Sequence, residues 1–468
     1  MTRAWIVVWF VGAVFVAGCA SSQYLPVKRA QAIGSCQTAV PERDTLVGVA
    51  LSGGGSRAAI FGAAGLEALA GVRMPDGSSL IDSIAHISSV SGGSLAATYY
   101  ALKKPGRGVK VLNGNGTLSD PYQEFFAQYQ TDISQDFETP LIWRQLLHLR
   151  WLNSALAART LAEILKERLY GDTRLQDLAV REKAGDSPGL IVNTTLYNNG
   201  RRLAMTSLPP EAFEYDFFED LDRSLRERGR VVEPAPIMHE RWTRLRPLTP
   251  IEIGIDPCLA GLNGIAAASA SFPPLIGPIT LRVGQEETYW HAGDGGLYEN
   301  SGAESLLLLY LNQLQEKRAR RALVIALESS FPFSVGERRL LRRSAPFSLW
   351  TFDFSRVPSI MEERATTYQA LFFRSLQLQG VFPDSKTITV IVLRHTDAKW
   401  AADMRDLPPA CTAEPQPLKT PEEVRERIAE IPTRLGLPSA CDRELLRAAA
   451  VKLVAEHRDE IVAFLTRP

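Results

Sequence analysis

Histidine is scarce in this 468-residue chain, with six in all. None of the six begins a metal-ligand spacing, and the five cysteines form no C-x-x-C pair. We therefore expect no metal and no cofactor. Charge of one sign is not in excess either, since Lys plus Arg and Asp plus Glu each number 52. A neutral chain of this kind gives no electrostatic case for nucleic acid. No Gly-Lys-Ser or Gly-Lys-Thr follows a glycine loop, which excludes a nucleotide P-loop. Internal repeats and low-complexity arrays are absent. The N-terminal apolar run, Trp5 to Ala17, is too short to span a membrane.

That run does fit the core of a signal peptide. Arg3 supplies a positive start, and the run ends in Val16-Ala17-Gly18-Cys19. This resembles the bacterial lipobox, with small residues for the signal peptidase and then a cysteine for acylation. Ala20 follows the cysteine, which resembles the outer-membrane sorting pattern of Gram-negative lipoproteins. The expectation is a lipid-anchored protein of the bacterial cell envelope, held at the outer membrane through acylated Cys19. Four cysteines then remain, an even count that favours disulfides in an exported protein. Cys411 and Cys441 flank a C-terminal helical segment and are paired on that ground, which leaves Cys36 with Cys258. Three connectivities are open to four cysteines.

Three glycine-bearing turns carry the chemistry. In His86-Ile-Ser-Ser-Val-Ser91-Gly92-Gly93-Ser94 an apolar run stops at a serine, and a helical pattern begins directly after it. A strand turning sharply into a helix lifts the hydroxyl above the sheet, at the positive end of the helix. In Ser52-Gly53-Gly54-Gly55-Ser56-Arg57 a buried strand, Thr45 to Leu51, runs into a helix starting near Ala58. Its bare backbone N–H groups suit a phosphate or a developing oxyanion. The rival dinucleotide fingerprint needs an acid ending the next strand. Asp76 has the spacing but sits in the loop-like Pro75-Asp-Gly-Ser-Ser79, and the next strand ends at Ser91. The third turn is His291-Ala-Gly-Asp294-Gly295-Gly296, between a short strand and a long helix. An aspartate so held can take a proton from a serine on a neighbouring strand.

The three motifs, in this order, resemble the patatin-like phospholipase family. Supporting blocks are Leu190 to Thr195 with Gly200, Ala266 to Pro274, and Arg321 to Leu327, so the likeness spans Leu46 to Leu393. The resemblance implies Ser91 as nucleophile and Asp294 as its base. It places an oxyanion hole at Gly54 and Gly55 with Gly92, supported by Gly53, Gly93, Gly295 and Gly296. Arg57 occupies the family's arginine position, where it would hold the glycine loop. Two positions depart from the pattern: Ser89 replaces the first elbow glycine, and Ala58 replaces a glycine after the arginine. Both are small. The dyad needs no histidine, so His291 and His86 are expected to be structural.

The expected architecture is a three-layer α/β sandwich with a largely parallel central sheet and helical insertions. Residues 1–18 read as signal peptide, 19–43 as a mostly extended tether, and 44–400 as the hydrolase domain. Insertions fall near 103–180 and 209–250, and 401–468 form a proline-rich and helical tail. Within the first insertion, Trp143, Leu146, Leu147, Leu149, Trp151 and Leu152 form a dense apolar group in what reads as a covering subdomain, expected to be a core helix, with a membrane contact as the alternative. Pro346 to Phe354, directly after Arg338-Arg339 and Arg342-Arg343, is a second aromatic segment, expected to be buried under the insertion, with a membrane interface whose arginines meet phosphates as the alternative. The expected activity is hydrolysis of acyl esters of phospholipids or other lipids. Acyl transfer, a non-phospholipid ester, a non-catalytic envelope scaffold and a nucleotide binder remain as alternatives.

Overall fold

The computed structural model describes residues 25–27, 36–148, 154–230, 236–273, 276–283, 288–330, isolated positions between 364 and 380, and 386–467. Cys19 and the aromatic segment at 347–354 lie outside the described residues. Nine strands form one sheet in the order β1-β6-β7-β4-β3-β2-β8-β9, with β5 also pairing β4. They are β1 (Leu25–Val27), β2 (Thr45–Leu51), β3 (Ile84–Val90), β4 (Gly189–Leu196), β5 (Arg201–Thr206), β6 (Ile279–Val283), β7 (Tyr289–Asp294), β8 (Arg321–Glu328) and β9 (Ile388–Arg394). The run β4-β3-β2-β8-β9 is parallel throughout. Strands β5 and β7 run antiparallel to β4, and β7 antiparallel to β6.

The helices are α1 (Gly55–Ala70), α2 (Gly92–Lys103), α3 (Asp120–Ile133), α4 (Glu138–Leu147), α5 (Ser154–Leu165), α6 (Leu175–Ala184), α7 (Phe217–Glu227), α8 (Pro236–Leu245), α9 (Leu262–Ser269), α10 (Ala303–Gln315), α11 (Pro421–Glu430) and α12 (Ala440–Thr466). Alternation along the strands sorts them into two outer layers, because successive side chains leave opposite faces of a strand. Val47, Val49 and Leu51 of β2 and Leu323, Ile325 and Leu327 of β8 pack with α1, α2 and α12. Leu46 and Ala50 of β2 and Ala322, Val324 and Ala326 of β8 face α10, against Leu306, Leu309 and Tyr310. Strands β2, β3, β4 and β8 are buried on both faces and read as largely apolar runs, whereas edge strand β9 alternates buried and exposed residues. Helix α1 is buried on nearly every side.

Two segments expected to lie outside the hydrolase domain are part of this body. Leu25–Val27 adds a parallel edge strand to β6, and Thr38 hydrogen-bonds Ser207 through backbone and hydroxyl. In the tail, α12 contributes Leu445, Leu446, Ala449, Leu453 and Val454 to the core that holds α1. The structure joins Cys36 to Cys258 and Cys411 to Cys441. Among the described residues no helix is long and apolar enough to cross a membrane.

One sequence expectation is corrected. On α4, Trp143, Leu146 and Leu147 do not enter the core but are 59%, 50% and 74% exposed. Leu149, Trp151 and Leu152 of the same apolar group lie outside the described residues.

Candidate active site

Strand β4 acts as a splint for the site. On one of its edges Asn193 pairs with Val90 at the end of β3, and the next residue, Thr194, pairs with Asp294 at the end of β7. Because β3 runs parallel to β4 and β7 antiparallel, their C-terminal ends meet head to head. The chain leaves β3 at Ser91 and leaves β7 at Asp294. Two residues 203 apart in sequence are thereby brought together, with Ser91 Oγ donating to Asp294 Oδ2 at 2.8 Å.

Ser91 has φ 50° and ψ −124°. A non-glycine residue there is strained, as the sharp strand-to-helix turn of a nucleophile elbow demands. Buried hydrogen bonds hold it. The Ser91 N–H donates to Ser269 Oγ at 2.9 Å, and Ser269 Oγ donates to the Asn193 carbonyl at 2.6 Å. Asn193 Nδ2 in turn donates to Ser88 Oγ and the Ser89 carbonyl, and Asn193 Oδ1 accepts from Ser305 Oγ. Ser89, in place of a glycine, is fully buried and sends its hydroxyl to the Ile191 carbonyl. The substitution is accommodated because that hydroxyl has an acceptor. Gly92 is a steric requirement, since a Cβ there would lie 1.9 Å from the Gly55 carbonyl oxygen.

Asp294 is buried, and burial raises its pKa from 3.8 to about 7 against the opposing hydrogen bonds from Gly296 N–H and Ser91. The Gly296 N–H reaches Oδ1 at 2.8 Å, leaving Oδ2 for the serine. A carboxylate poised near neutrality and hydrogen-bonded to a hydroxyl is suited to general-base work. The following turn is fixed by buried Glu299, which accepts from the N–H groups of Ser301 and Gly302. Arg202 pairs with Glu304 at 2.8 Å and lies over the Tyr298 ring.

The glycine loop faces the elbow. The Gly53 N–H donates to the Asn300 carbonyl, tying this loop to the aspartate turn, and the Ser56 N–H donates to the Arg434 carbonyl. Among the described residues the amides of Gly54, Gly55 and Gly92 have no such partner. Gly54 has φ 138°, a conformation open to glycine and costly to other residues. Arg57 is fully buried, with Nε donating to the Ser329 carbonyl and Nη1 to the Ile431 carbonyl. It thus joins the start of α1 to the end of β8 and to the segment between α11 and α12.

No histidine hydrogen-bonds Ser91 or Asp294 among the described residues. His291 Nδ1 meets Thr280 Oγ1 at 2.9 Å, and His86 Nδ1 meets the Tyr310 hydroxyl at 3.3 Å. Burial lowers the His86 pKa to about 3, so it is a neutral core residue. Among the described residues one group has metal-ligand proximity, Cys36, Asp256 and Cys258, but the disulfide occupies both sulfurs. Sequence reasoning missed Ser269, Asn193, Asn300 and Arg434, whose roles arise only from long-range contact.

The family profile "Patatin-like phospholipase" matches residues 49–307, more than half of the chain. The chain belongs to the patatin-like phospholipase family. Among solved structures it is similar to human GIVD cytosolic phospholipase A2, at 13% identity and a TM-score of 0.44, covering 90% of this chain and 60% of that one. The same human enzyme in complex with methyl gamma-linolenyl fluorophosphonate gives 15% identity and a TM-score of 0.39, covering 90% and 58%. This chain thus spans about 60% of the length of those proteins. No curated protein matches the sequence. The family's patatin-like α/β three-layer fold agrees with the mostly parallel sheet and its flanking helices.

Proposed function

We propose that this protein is a serine esterase that hydrolyses acyl esters of phospholipids or other lipids through a Ser91–Asp294 dyad. The observation that carries the reading is the 2.8 Å hydrogen bond from a strained elbow serine to a buried aspartate. Ser91 Oγ attacks the ester carbonyl carbon as its proton passes to Asp294 Oδ2. The amides of Gly54 and Gly55, with Gly92, stabilise the tetrahedral oxyanion. Asp294 then returns the proton to the departing alcohol, leaving Ser91 acylated. Water attacks the acyl-enzyme, Asp294 takes its proton, and release of the fatty acid restores the Ser91 hydroxyl. Membership of a phospholipase family supports the lipid acyl ester as substrate.

The test is covalent labelling by a serine-reactive fluorophosphonate, followed by a screen of short- and long-chain esters. Wild-type protein should label and turn over esters, and Ser91→Ala should do neither. Full activity in Ser91→Ala would sink the mechanism. We further propose that acylated Cys19 anchors the protein at the bacterial outer membrane, on the strength of Val16-Ala17-Gly18-Cys19. Metabolic labelling with a palmitate analogue should fail in Cys19→Ser, and unchanged incorporation would refute the anchor.

A further inference from the structure

Helix α4 is built inside out. Its inward positions are Leu141 and Gln145, and its outward face carries Ile142, Trp143, Leu146 and Leu147, all of them more than 40% exposed. Gln145 is buried, yet neither its side-chain nitrogen nor its oxygen has a hydrogen-bond partner. Buried polar groups are almost always satisfied, and large apolar side chains clustered on a surface mark a place where something binds. Only the outer face bears on binding, because Gln145 lies on the inward side of the helix.

The helix is also continuous with the site. Its first turn is tied to the segment Ile431–Leu437, where the Phe137 N–H donates to the Leu435 carbonyl and Glu138 pairs with Arg434 at 2.9 Å. The carbonyl of that same Arg434 receives the Ser56 N–H beside Gly55. The first turn of α4, rather than its outward face, is thus linked through Arg434 to the glycine loop that faces Ser91. Among the described residues nearby, Arg144 pairs with Glu167, Lys166 with Asp172, and Arg434 with Glu138, while exposed Arg168 donates to the Asp136 carbonyl.

We propose that the outer face of α4 is the surface by which this enzyme settles on a phospholipid layer, with Trp143 and Leu147 entering the boundary between head groups and acyl chains. The inference rests on the lipid-ester reading above. Trp favours that boundary, and an amphipathic helix lying in the interface plane buries its apolar face there. Because most of the described charges near it are paired, apolar insertion rather than charge would seat this face, beside the hold proposed for acylated Cys19. Binding should therefore change little with salt or with the anionic lipid content of the vesicle.

The experiment uses the full chain with phosphatidylcholine vesicles whose acyl chains are brominated. Tryptophan fluorescence should be quenched in the wild type, and the share belonging to position 143 should vanish in Trp143→Phe. In the double variant Trp143→Ser with Leu147→Ser, the ratio of vesicle turnover to turnover of a soluble short-chain ester should fall about tenfold or more. Equal quenching in wild type and Trp143→Phe would overturn the proposal. So would a wild-type dimer that the double variant splits, since the face would then be a self-interface. A lower melting temperature in the double variant would show it to be core. Quenching needs no turnover, so a chain that takes no fluorophosphonate label would refute the enzyme reading and leave the docking result separately readable.

Discussion

The carbonyl oxygen of Arg434 accepts the Ser56 N–H at 2.7 Å, so a residue of the C-terminal segment occupies a donor at the start of α1. The helix that opens from the glycine loop is thus capped by the far end of the chain, beyond the residues that the family profile matches. The cap leaves the amides of Gly54 and Gly55 as the loop's open donors. It also fixes Gly55, which has φ 60° and would carry any Cβ to within 2.3 Å of the Arg434 oxygen.

Gly55→Ala should therefore displace the Ile431–Leu437 segment and distort the oxyanion loop together. Overpacking of this kind costs about 1–3 kcal/mol, and labelling of Ser91 should slow in step. Arg434→Ala keeps the backbone carbonyl and removes only a half-exposed ion pair to Glu138, worth up to about 1 kcal/mol. Urea unfolding and labelling rates for the two variants check the point. Equal behaviour would mean that the side chain, not the backbone contact, holds the segment.

Asp294 couples stability to pH in a direction opposite to that of an ordinary surface carboxylate. Its pKa in the fold is about 7 against 3.8 for the free group, chiefly through burial. Between those values the native state holds the extra proton, so stability falls as pH rises from about 4 to about 7 and stays low above. Turnover needs the ionised form and should rise through the same window. Asp294→Asn should cost about 10²–10⁴-fold in turnover. By removing a buried charge it should also melt higher than wild type at pH 8, with the difference gone by pH 4. Calorimetry at the two pH values measures this, and no gain at pH 8 would contradict a buried, ionised Asp294.

Much of the site was legible in the sequence because its signals are local. A serine between small residues at a strand end, three successive glycines before a helix, and an aspartate in a glycine turn each follow from turn chemistry within a few residues. Their order carried the fold class as well. The parts that were not legible depend on contacts across the chain. Ser269 is an unremarkable serine at the end of an alanine-rich helix until the fold sets it under the Ser91 amide. Arg434 lies in a proline-bounded stretch that resembles a linker. For α4, the sequence showed a dense apolar group that includes Trp143, Leu146 and Leu147, but it held nothing on whether that group meets core or solvent.

The two disulfides should separate stability from site geometry. Cys36–Cys258 closes 222 residues and Cys411–Cys441 closes 30. In the chain-entropy view their removal costs about 5 and about 4 kcal/mol respectively. The shorter loop has the closer bearing on chemistry. Cys441 lies in the first turn of α12, directly after the segment whose Ile431 and Arg434 carbonyls hold Arg57 and Ser56. Replacing Cys411 and Cys441 by serine should therefore slow fluorophosphonate labelling more than replacing Cys36 and Cys258, although it destabilises the chain less. Urea unfolding ranks the stabilities, and labelling rates in the absence of denaturant rank the sites. If the two rankings coincide, the C-terminal segment holds no special relation to the oxyanion loop, and its contacts with Ser56 and Arg57 contribute only to stability.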